Sequence, residues 1–273
     1  MVPALRLNND VRMPVLGFGV YQIPDGEVER AVHTAFEAGY RAVDTATLYA
    51  NERGVGAAVR ASGLPREELF VTTKLWNTEH GHDRALRAFD TSLAELRLDY
   101  VDLYLIHWPQ PGQDRYVETW RALEKILADG RARAIGVSNF QIPHLRRLLA
   151  ETEVVPAVNQ VELHPHLQQA ELRGFHEKHG IVTEAWRPLG LGPDLFGTEV
   201  IQTVARKHGR TPAQVVLRWH LEMGHAVIPK SVTPRRIAEN IDLFDFELDS
   251  QDIAGIATLE QGRRLGPDPD RLG

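Results

Sequence analysis

The hydrophobic pattern of the chain alternates between two periods. Short apolar runs typical of buried strands are followed by stretches in which apolar residues recur at helical spacing. Before this repeat, the segment 5–14 alternates apolar and polar residues around Asn8, Asn9 and Asp10, and Pro14 ends it. The pattern therefore predicts a β-hairpin followed by repeated strand–helix units.

Eight strands are predicted, at 15–20, 41–46, 69–74, 101–107, 132–138, 158–161, 181–186 and 225–229. Helices are predicted from 25 or 26 to Gly39 and at 52–62, 83–97, 117–127, 143–151, 167–179, 199–208, 212–223, 234–241 and 250–261. This alternation favours an α/β fold, a (β/α)8 TIM barrel with an N-terminal hairpin and extra helices near the C-terminus. A doubly wound open sheet also alternates and is the alternative. Because no linker interrupts residues 1–273, we expect a single domain.

Composition and charge narrow the functional classes. The formal net charge of −6 and the isoelectric point near 6.1 give no average attraction for nucleic acid or for an anionic membrane. The absence of cysteine excludes disulfides, thiolate metal sites and cysteine nucleophiles. The N-terminus lacks an apolar signal core and no later run approaches membrane-spanning length. We therefore expect a cytoplasmic protein, and we expect it to be a monomer.

Polar side chains recur where the predicted strands end. They are Asp44 with Tyr49 just after it, Lys74, His107, Ser138, Asn139, Gln160 and Lys230. Asn51 follows the first of these groups, in a position to cap the next helix. Because the C-terminal ends of the strands of a parallel barrel meet at one mouth, we expect these side chains to converge there.

Four of these side chains combine into a site for protonating a carbonyl oxygen. The hydroxyl of Tyr49 has an ordinary pKa of about 10, and the ammonium group of Lys74 would lower that pKa. Asp44 can hold the ammonium in place, and His107 can donate a hydrogen bond to the substrate oxygen. The alternatives are a buried ion pair beside a core Tyr and His, or an aldolase-like enzyme that uses Lys74 to form a Schiff base.

Three other motifs are weaker signals. The glycines at 54–59 resemble a dinucleotide-binding fingerprint, but the third glycine is missing and the pattern is helical, which favours close helix packing. His176 and His179 lie on one helix without an evident third ligand. His164 and His166 flank a proline, which fixes the backbone. Neither histidine pair is favoured as a metal site.

The chain resembles the aldo-keto reductases over essentially its whole length, and it is most similar to the bacterial members that include 2,5-diketo-D-gluconic acid reductase. The matching segments are 43–46 with Tyr49, 72–76, 106–109, 136–140 and 228–231. The resemblance implies the barrel fold and a general acid, Tyr49, for carbonyl reduction. It implies a catalytic tetrad of Asp44, Tyr49, Lys74 and His107.

The resemblance also implies a nicotinamide dinucleotide as the hydride source. Ser138, Asn139 and Gln160 match residues that hydrogen-bond its carboxamide, and Trp186 falls where an aromatic residue stacks on the nicotinamide ring. The segment that binds the adenosine end corresponds to Lys230, Ser231, Val232, Thr233, Arg236, Glu239 and Asn240.

The adenosine segment also carries the signal for the type of dinucleotide. Lys230 and Arg236 suit a 2′-phosphate, because a doubly charged oxyanion is bound well by a fork-shaped guanidinium group together with a point charge. We therefore expect NADPH/NADP+ as the cofactor.

Two departures from the family pattern lie close to the expected cofactor. Arg187 stands where relatives have serine or glycine, and the stretch 189–198, which begins with Leu189, is shorter than the flap that relatives fold over the pyrophosphate. We expect both Arg187 and Leu189 to bind the cofactor. Because a buried lone guanidinium is costly, Arg187 needs a protein carboxylate, the pyrophosphate or a substrate carboxylate as its partner. We favour the pyrophosphate.

The resemblance places Tyr21, Trp76 and Trp108 in the wall of the substrate pocket, where apolar aromatic surface suits a small ligand. The tail at 262–269 has no periodicity, and we expect it to lie over this pocket as a loop. We therefore predict an NADPH-dependent enzyme that reduces aldehydes or ketones of small molecules to alcohols. The alternative is a non-catalytic accessory subunit that senses nicotinamide nucleotides.

Overall fold

The computed structural model describes residues 2–272, and it consists of a short hairpin followed by a sheet of eight parallel strands. The hairpin pairs β1 (Ala4–Arg6) with β2 (Arg12–Pro14) in antiparallel register, as predicted. Each strand of the sheet lies beside its neighbours in the chain. These strands are β3 (Phe18–Gly19), β4 (Ala42–Asp44), β5 (Phe70–Leu75), β6 (Val101–Ile106), β7 (Ala132–Ser138), β8 (Val158–Glu162), β9 (Val182–Trp186) and β10 (Ala226–Val227).

The two edges of this sheet are joined to each other, which makes it a barrel. Leu16, just before β3, forms a parallel bridge with Val227 of β10. The Gly19 amide of β3 donates to the carbonyl of Pro229 at 3.2 Å. The predicted (β/α)8 fold is therefore confirmed. β3 is shorter than the strand predicted at 15–20, because the residues around it make isolated backbone hydrogen bonds instead of a continuous strand ladder.

Helices follow the strands around the outside of the barrel. They are α1 (Asp25–Glu37), α2 (Glu52–Ala61), α3 (His82–Leu96), α4 (Tyr116–Ala128), α5 (Ile142–Glu151), α6 (Ala170–His179), α7 (Pro193–Phe196), α8 (Glu199–His208), α9 (Pro212–Glu222), α10 (Pro234–Ile241) and α11 (Ser250–Ala257). Three helices differ from the predictions. α7 was not predicted, α6 begins at Ala170 and not at residue 167, and α11 ends at Ala257 and not at residue 261. Within residues 2–272, no helix is long and apolar enough to cross a bilayer.

The glycines of α2 allow close helix packing, as the sequence predicted. A side chain at Gly56 would overlap the main chain of Leu96 at the end of α3, and one at Gly54 would overlap Val28 of α1. Only a residue without a Cβ atom allows these approaches. The resemblance to a dinucleotide-binding fingerprint is therefore a consequence of packing.

The hairpin covers the N-terminal end of the barrel. Leu7 and Met13 are 2% exposed and pack in one buried cluster with barrel residues such as Leu103 and Leu105. The side chain of Asn9 donates to the carbonyl of Arg133 at 2.9 Å, which ties the hairpin tip to β7. The hairpin thus covers one end of the barrel and leaves the mouth where the strands end available to a ligand.

Candidate active site

The C-terminal ends of the strands surround a cavity of about 530 Å³. Pockets for small molecules usually measure roughly 300–1,000 Å³, so this one suits such a ligand. The residues predicted from the sequence that line it are Tyr21, Asp44, Tyr49, Trp76, His107, Trp108, Ser138, Asn139, Gln160, Trp186, Arg187, Leu189 and Lys230. The strand ends therefore converge as predicted.

Lys74 is fully buried in β5 and connects Asp44 to Tyr49. Its ammonium group donates to Asp44 Oδ1 at 2.6 Å and to the Thr45 carbonyl at 2.9 Å. It also donates to the Tyr49 hydroxyl, over a longer distance of 3.4 Å. The pairing of β4 with β5 brings Asp44 beside Lys74, and a 3-10 turn at Thr47–Tyr49 returns the tyrosine to them.

The surroundings of Lys74 and Tyr49 set the charges of both groups. Burial lowers the pKa of Lys74, but the attraction of its neighbours, above all the charge of Asp44, outweighs burial, and the pKa ends above its ordinary value. For Tyr49, burial is the largest influence and raises the pKa, while Lys74 lowers it by less. The predicted lowering by Lys74 is therefore present, but burial outweighs it and the pKa of Tyr49 lies above its ordinary value. At neutral pH the hydroxyl keeps the proton that a general acid must donate.

His107 follows β6 and lies among aromatic rings. Its imidazole meets the Tyr49 ring edge-on, with centroids 5.8 Å apart, and the Trp76 ring at 5.2 Å. Burial and the positive charge of Lys74 hold the pKa of His107 well below its ordinary value. The imidazole is therefore neutral at neutral pH, and it has one N–H that can donate to a substrate oxygen.

Ser138, Asn139 and Gln160 form a hydrogen-bonded group on the opposite side of the mouth. Asn139 Nδ2 donates to the His107 carbonyl at 2.9 Å and to Ser138 Oγ at 3.0 Å. Ser138 Oγ in turn donates to the main-chain carbonyl of Gln160 at 2.8 Å. Asn139 Oδ1 accepts from the Trp186 indole N–H at 2.8 Å, which orients the ring at the end of β9. These bonds fix the polar wall of the cavity before any ligand binds.

Arg187 follows Trp186 at the rim of the cavity. Its backbone is left-handed, with φ at 52°, and its guanidinium group lies 5.9 Å from the Trp186 ring centroid. The side chain is exposed, and within residues 2–272 no carboxylate forms an ion pair with it. Its exposure removes the cost of burial that made a partner necessary, and within residues 2–272 the first of the three possible partners, a protein carboxylate, does not pair with it.

The segment expected to bind the adenosine end lies partly outside the cavity. Lys230 lines the cavity rim, and Arg236 is exposed on the first turn of α10. Ser231 is buried and accepts a hydrogen bond from the Thr233 amide at 3.2 Å, which shapes the approach to the helix. The remaining predicted residues of this segment are Val232, which is 54% exposed, half-buried Glu239 and buried Asn240.

Another part of the cavity wall is aromatic, and the C-terminal tail also contributes to the wall. Tyr21 is 46% exposed and packs on Tyr49 with ring centroids 5.0 Å apart. The tail places Leu265 and Gly266 in the cavity wall. The buried carboxylate of Glu162 accepts from their amides at 2.7 and 2.9 Å, which fixes the tail in place. The predicted position of the tail over the pocket is confirmed.

Residues 15–193 and 195–261 match the model of the Aldo/keto reductase family. The chain belongs to this family. It is 55% identical over 269 residues to an aldo-keto reductase of Mycolicibacterium smegmatis, across 98% of each chain. It is 52% identical over 270 residues to methylglyoxal reductase DkgA of Escherichia coli, again across 98% of each. Among solved structures, a mutant of Gox0644 in complex with NADPH has a TM-score of 0.96 at 49% identity, with 100% of this chain and 99% of that chain covered.

Sequence reasoning missed one carboxyl group of this aldo-keto reductase. Glu184 lies within β9, is 2% exposed and accepts from Gln160 Nε2 at 2.7 Å. Gln160 Nε2 also donates to Asp44 Oδ2 at 2.8 Å. The signal that could have identified Glu184 is a single acidic residue in an otherwise apolar buried strand.

Asn51 has a different role from the predicted helix cap. It precedes α2, but its side chain accepts no hydrogen bond from the first turn of that helix. Instead its Oδ1 accepts from Thr45 Oγ1 at 2.7 Å, and its Nδ2 donates to the carbonyls of Val20 and Ile23. Asn51 thus ties the loop that carries Tyr49 to the loop after β3.

The histidine motifs take part in structural hydrogen bonds. His176 Nδ1 lies 2.8 Å from Thr183 Oγ1, and its Nε2 lies 2.9 Å from Asn159 Nδ2. His164 Nε2 lies 3.1 Å from the carboxylate of Glu162 that holds the C-terminal tail. Within residues 2–272, no group of three or more acidic or histidine side chains is arranged to hold a metal ion.

Proposed function

We propose that this aldo-keto reductase uses NADPH to reduce aldehyde or ketone groups of small molecules to alcohols. The observation that carries the proposal is the proton-bearing hydroxyl of Tyr49, hydrogen-bonded by the Lys74 ammonium and facing a cavity with aromatic walls. The family membership and the NADPH complex of a similar solved structure support it. The similarity to methylglyoxal reductase supports a small carbonyl compound, such as a 2-oxoaldehyde, as the substrate.

The residues around the cavity fit a nicotinamide dinucleotide phosphate. Gln160 lines the cavity, and its Oε1 has no hydrogen-bond partner within residues 2–272, so it can accept from a carboxamide N–H. Trp186 offers an indole ring beside this point. Lys230 and Arg236 are exposed cations at the entrance to α10, where helix N–H groups also favour an anion. When bound, the cofactor supplies the hydride.

The chain's own residues handle the proton. Tyr49 donates its proton to the carbonyl oxygen, and the Lys74 ammonium stabilises the phenolate that remains. Asp44 holds Lys74 in place, while neutral His107 can donate a hydrogen bond to the same oxygen. The aromatic side chains Tyr21, Trp76 and Trp108 bound the cavity and give it an apolar wall for the substrate.

A nucleophilic role for Lys74 conflicts with its surroundings. The Lys74 nitrogen donates hydrogen bonds to Asp44, Thr45 and Tyr49, and its pKa is raised. A Schiff-base lysine needs a free electron pair, and therefore a lowered pKa. The aldolase alternative is not supported.

The test is to mix the protein with NADPH and a panel of aldehydes and ketones, including methylglyoxal and an aromatic aldehyde, while following nicotinamide absorbance. Consumption of NADPH that depends on the carbonyl compound supports the enzyme. NADPH binding without turnover of any compound would instead favour the accessory subunit. The cytoplasmic location and the monomeric state stay predictions, and sedimentation analysis would test the second.

A further inference from the structure

The side-chain amide of Gln160 lies between two carboxyl groups. Its Nε2 donates to Asp44 Oδ2 at 2.8 Å and to Glu184 Oε2 at 2.7 Å. All three residues are at most 3% exposed. An amide nitrogen has two N–H groups, so these two bonds use both of them.

This arrangement leaves only one orientation for the amide. If the amide were flipped, its oxygen would face the oxygen of the Asp44 carboxylate, which accepts hydrogen bonds and also binds Lys74. The bond to Glu184 removes the remaining rotational freedom of the nitrogen. Gln160 therefore presents its Oε1 to the cavity as an acceptor without a protein partner within residues 2–272.

We propose that Glu184 is a positioning residue that, together with Asp44, holds the Gln160 amide so that its Oε1 accepts a hydrogen bond from the carboxamide N–H of the cofactor. The inference rests on the proposed use of NADPH. Glu184 itself does not line the cavity, so it acts through Gln160. To hold the Gln160 nitrogen, Glu184 needs only an oxygen that accepts a hydrogen bond.

The charge of Glu184 agrees with that role. Burial and the neighbouring Asp44 charge raise the pKa of Glu184 to about 8, so the group is largely neutral at neutral pH. A glutamine at this position also offers a neutral oxygen acceptor of the same reach. We therefore expect Glu184→Gln to keep the positioning, whereas Glu184→Leu removes it.

The experiment compares NADP+ with its 3-acetylpyridine analogue, in which a methyl group replaces the amide NH2 while the carbonyl stays. Dissociation constants are measured by quenching of protein fluorescence at pH 7. For the wild-type protein we expect NADP+ to bind about five-fold more tightly than the analogue, the effect of one hydrogen bond. Glu184→Leu should lose this preference and leave binding of the analogue unchanged, whereas Glu184→Gln should keep the preference.

Glu52→Leu is the matched control. Glu52 is also a buried carboxyl group with a raised pKa, but it accepts from Thr73 Oγ1 and lies outside the cavity wall. This variant should retain the preference for NADP+. If Glu184→Leu does not fold, Glu184→Met, which keeps the length and removes both oxygens, replaces it.

Three results would overturn the role of Glu184. They are equal affinities of the wild-type protein for both nucleotides, an equal loss of both in Glu184→Leu, and no loss of either in that variant. A wild-type protein that binds neither nucleotide would instead contradict the proposed function, so the two failures are distinguishable.

Discussion

The hydroxyl of Tyr49 lies 3.4 Å from the Nζ of Lys74, and Lys74 is itself held 2.6 Å from Asp44. Burial keeps the tyrosine protonated, while the ammonium group stabilises the phenolate that forms when the proton leaves. Tyr49 therefore carries the proton in the resting state, and Lys74 stabilises the negative charge that remains on Tyr49 after the proton is donated.

Replacing Tyr49 with phenylalanine removes the proton donor and keeps the ring that packs on Tyr21. We expect Tyr49→Phe to lower kcat by at least about a hundred-fold, the usual contribution of a general acid, with the NADPH dissociation constant nearly unchanged. Steady-state kinetics and fluorescence titration measure the two effects. Retention of most of the wild-type turnover would show that another group donates the proton.

Lys74→Met removes the ammonium group that lowers the pKa of Tyr49. Reduction needs protonated Tyr49, so the wild-type rate should be level through neutral pH and fall only in alkaline solution, as the raised pKa of Tyr49 is approached. In Lys74→Met the rate should be at least about a hundred-fold lower, and any alkaline fall should move to higher pH. An alkaline fall at lower pH than in the wild type would contradict the proposed role of Lys74.

Arg236 is expected to pair with the 2′-phosphate of NADPH. Arg236→Ala should weaken NADPH binding about ten-fold or more and leave NADH nearly unaffected, since only NADPH carries the additional phosphate. Arg235→Ala is the control, because Arg235 is an exposed neighbour on the same helix that lies 3.9 Å from Glu239. Equal losses for both dinucleotides would remove Arg236 from phosphate recognition.

Arg187 is an exposed cation at the cavity rim without a carboxylate partner within residues 2–272. If it binds the pyrophosphate, Arg187→Ser should raise the dissociation constants of NADPH and NADP+ alike by about ten-fold, as for one charge-assisted bond. Fluorescence titration checks this. Unchanged cofactor affinity together with a higher KM for acidic substrates alone would instead place Arg187 in substrate recognition.

Glu184 should make the folded protein less stable as pH rises. Its pKa is raised from 4.5 to about 8 in the folded state, so the folded protein binds the proton more tightly than the unfolded chain does. The stability that Glu184 contributes is full below pH 4.5 and declines as pH rises to 8. Glu184→Gln lacks this titration, so its Tm minus that of the wild type should increase between pH 5 and 8.

The increase in this difference should be at least about 2 °C, the shift expected for 1 kcal/mol in a protein of this size. Thermal unfolding followed by circular dichroism measures it. A difference that stays constant across this pH range would show that Glu184 is already ionised at pH 5.

The sequence by itself determined the order of strands and helices and the side chains that meet at the mouth. Strand and helix periods are local properties of the chain, so the pattern predicted all eight strands of the barrel. Because parallel strands end on one side, Asp44, Lys74 and His107 could be placed together without coordinates. The resemblance to the aldo-keto reductases rested on these same strand ends.

Only the tertiary structure decided how these side chains bond and which charges they carry. Asp44 and Gln160 are 116 residues apart in the chain, and no local pattern predicts their hydrogen bond or its extension to Glu184. The raised pKa of Tyr49 depends on burial by distant segments, which outweighs the nearby ammonium. The exposure of Arg187 likewise depends on how its loop folds at the rim. Burial and long-range contacts set these properties, and both depend on segments that are far apart in the sequence and meet only in the folded chain.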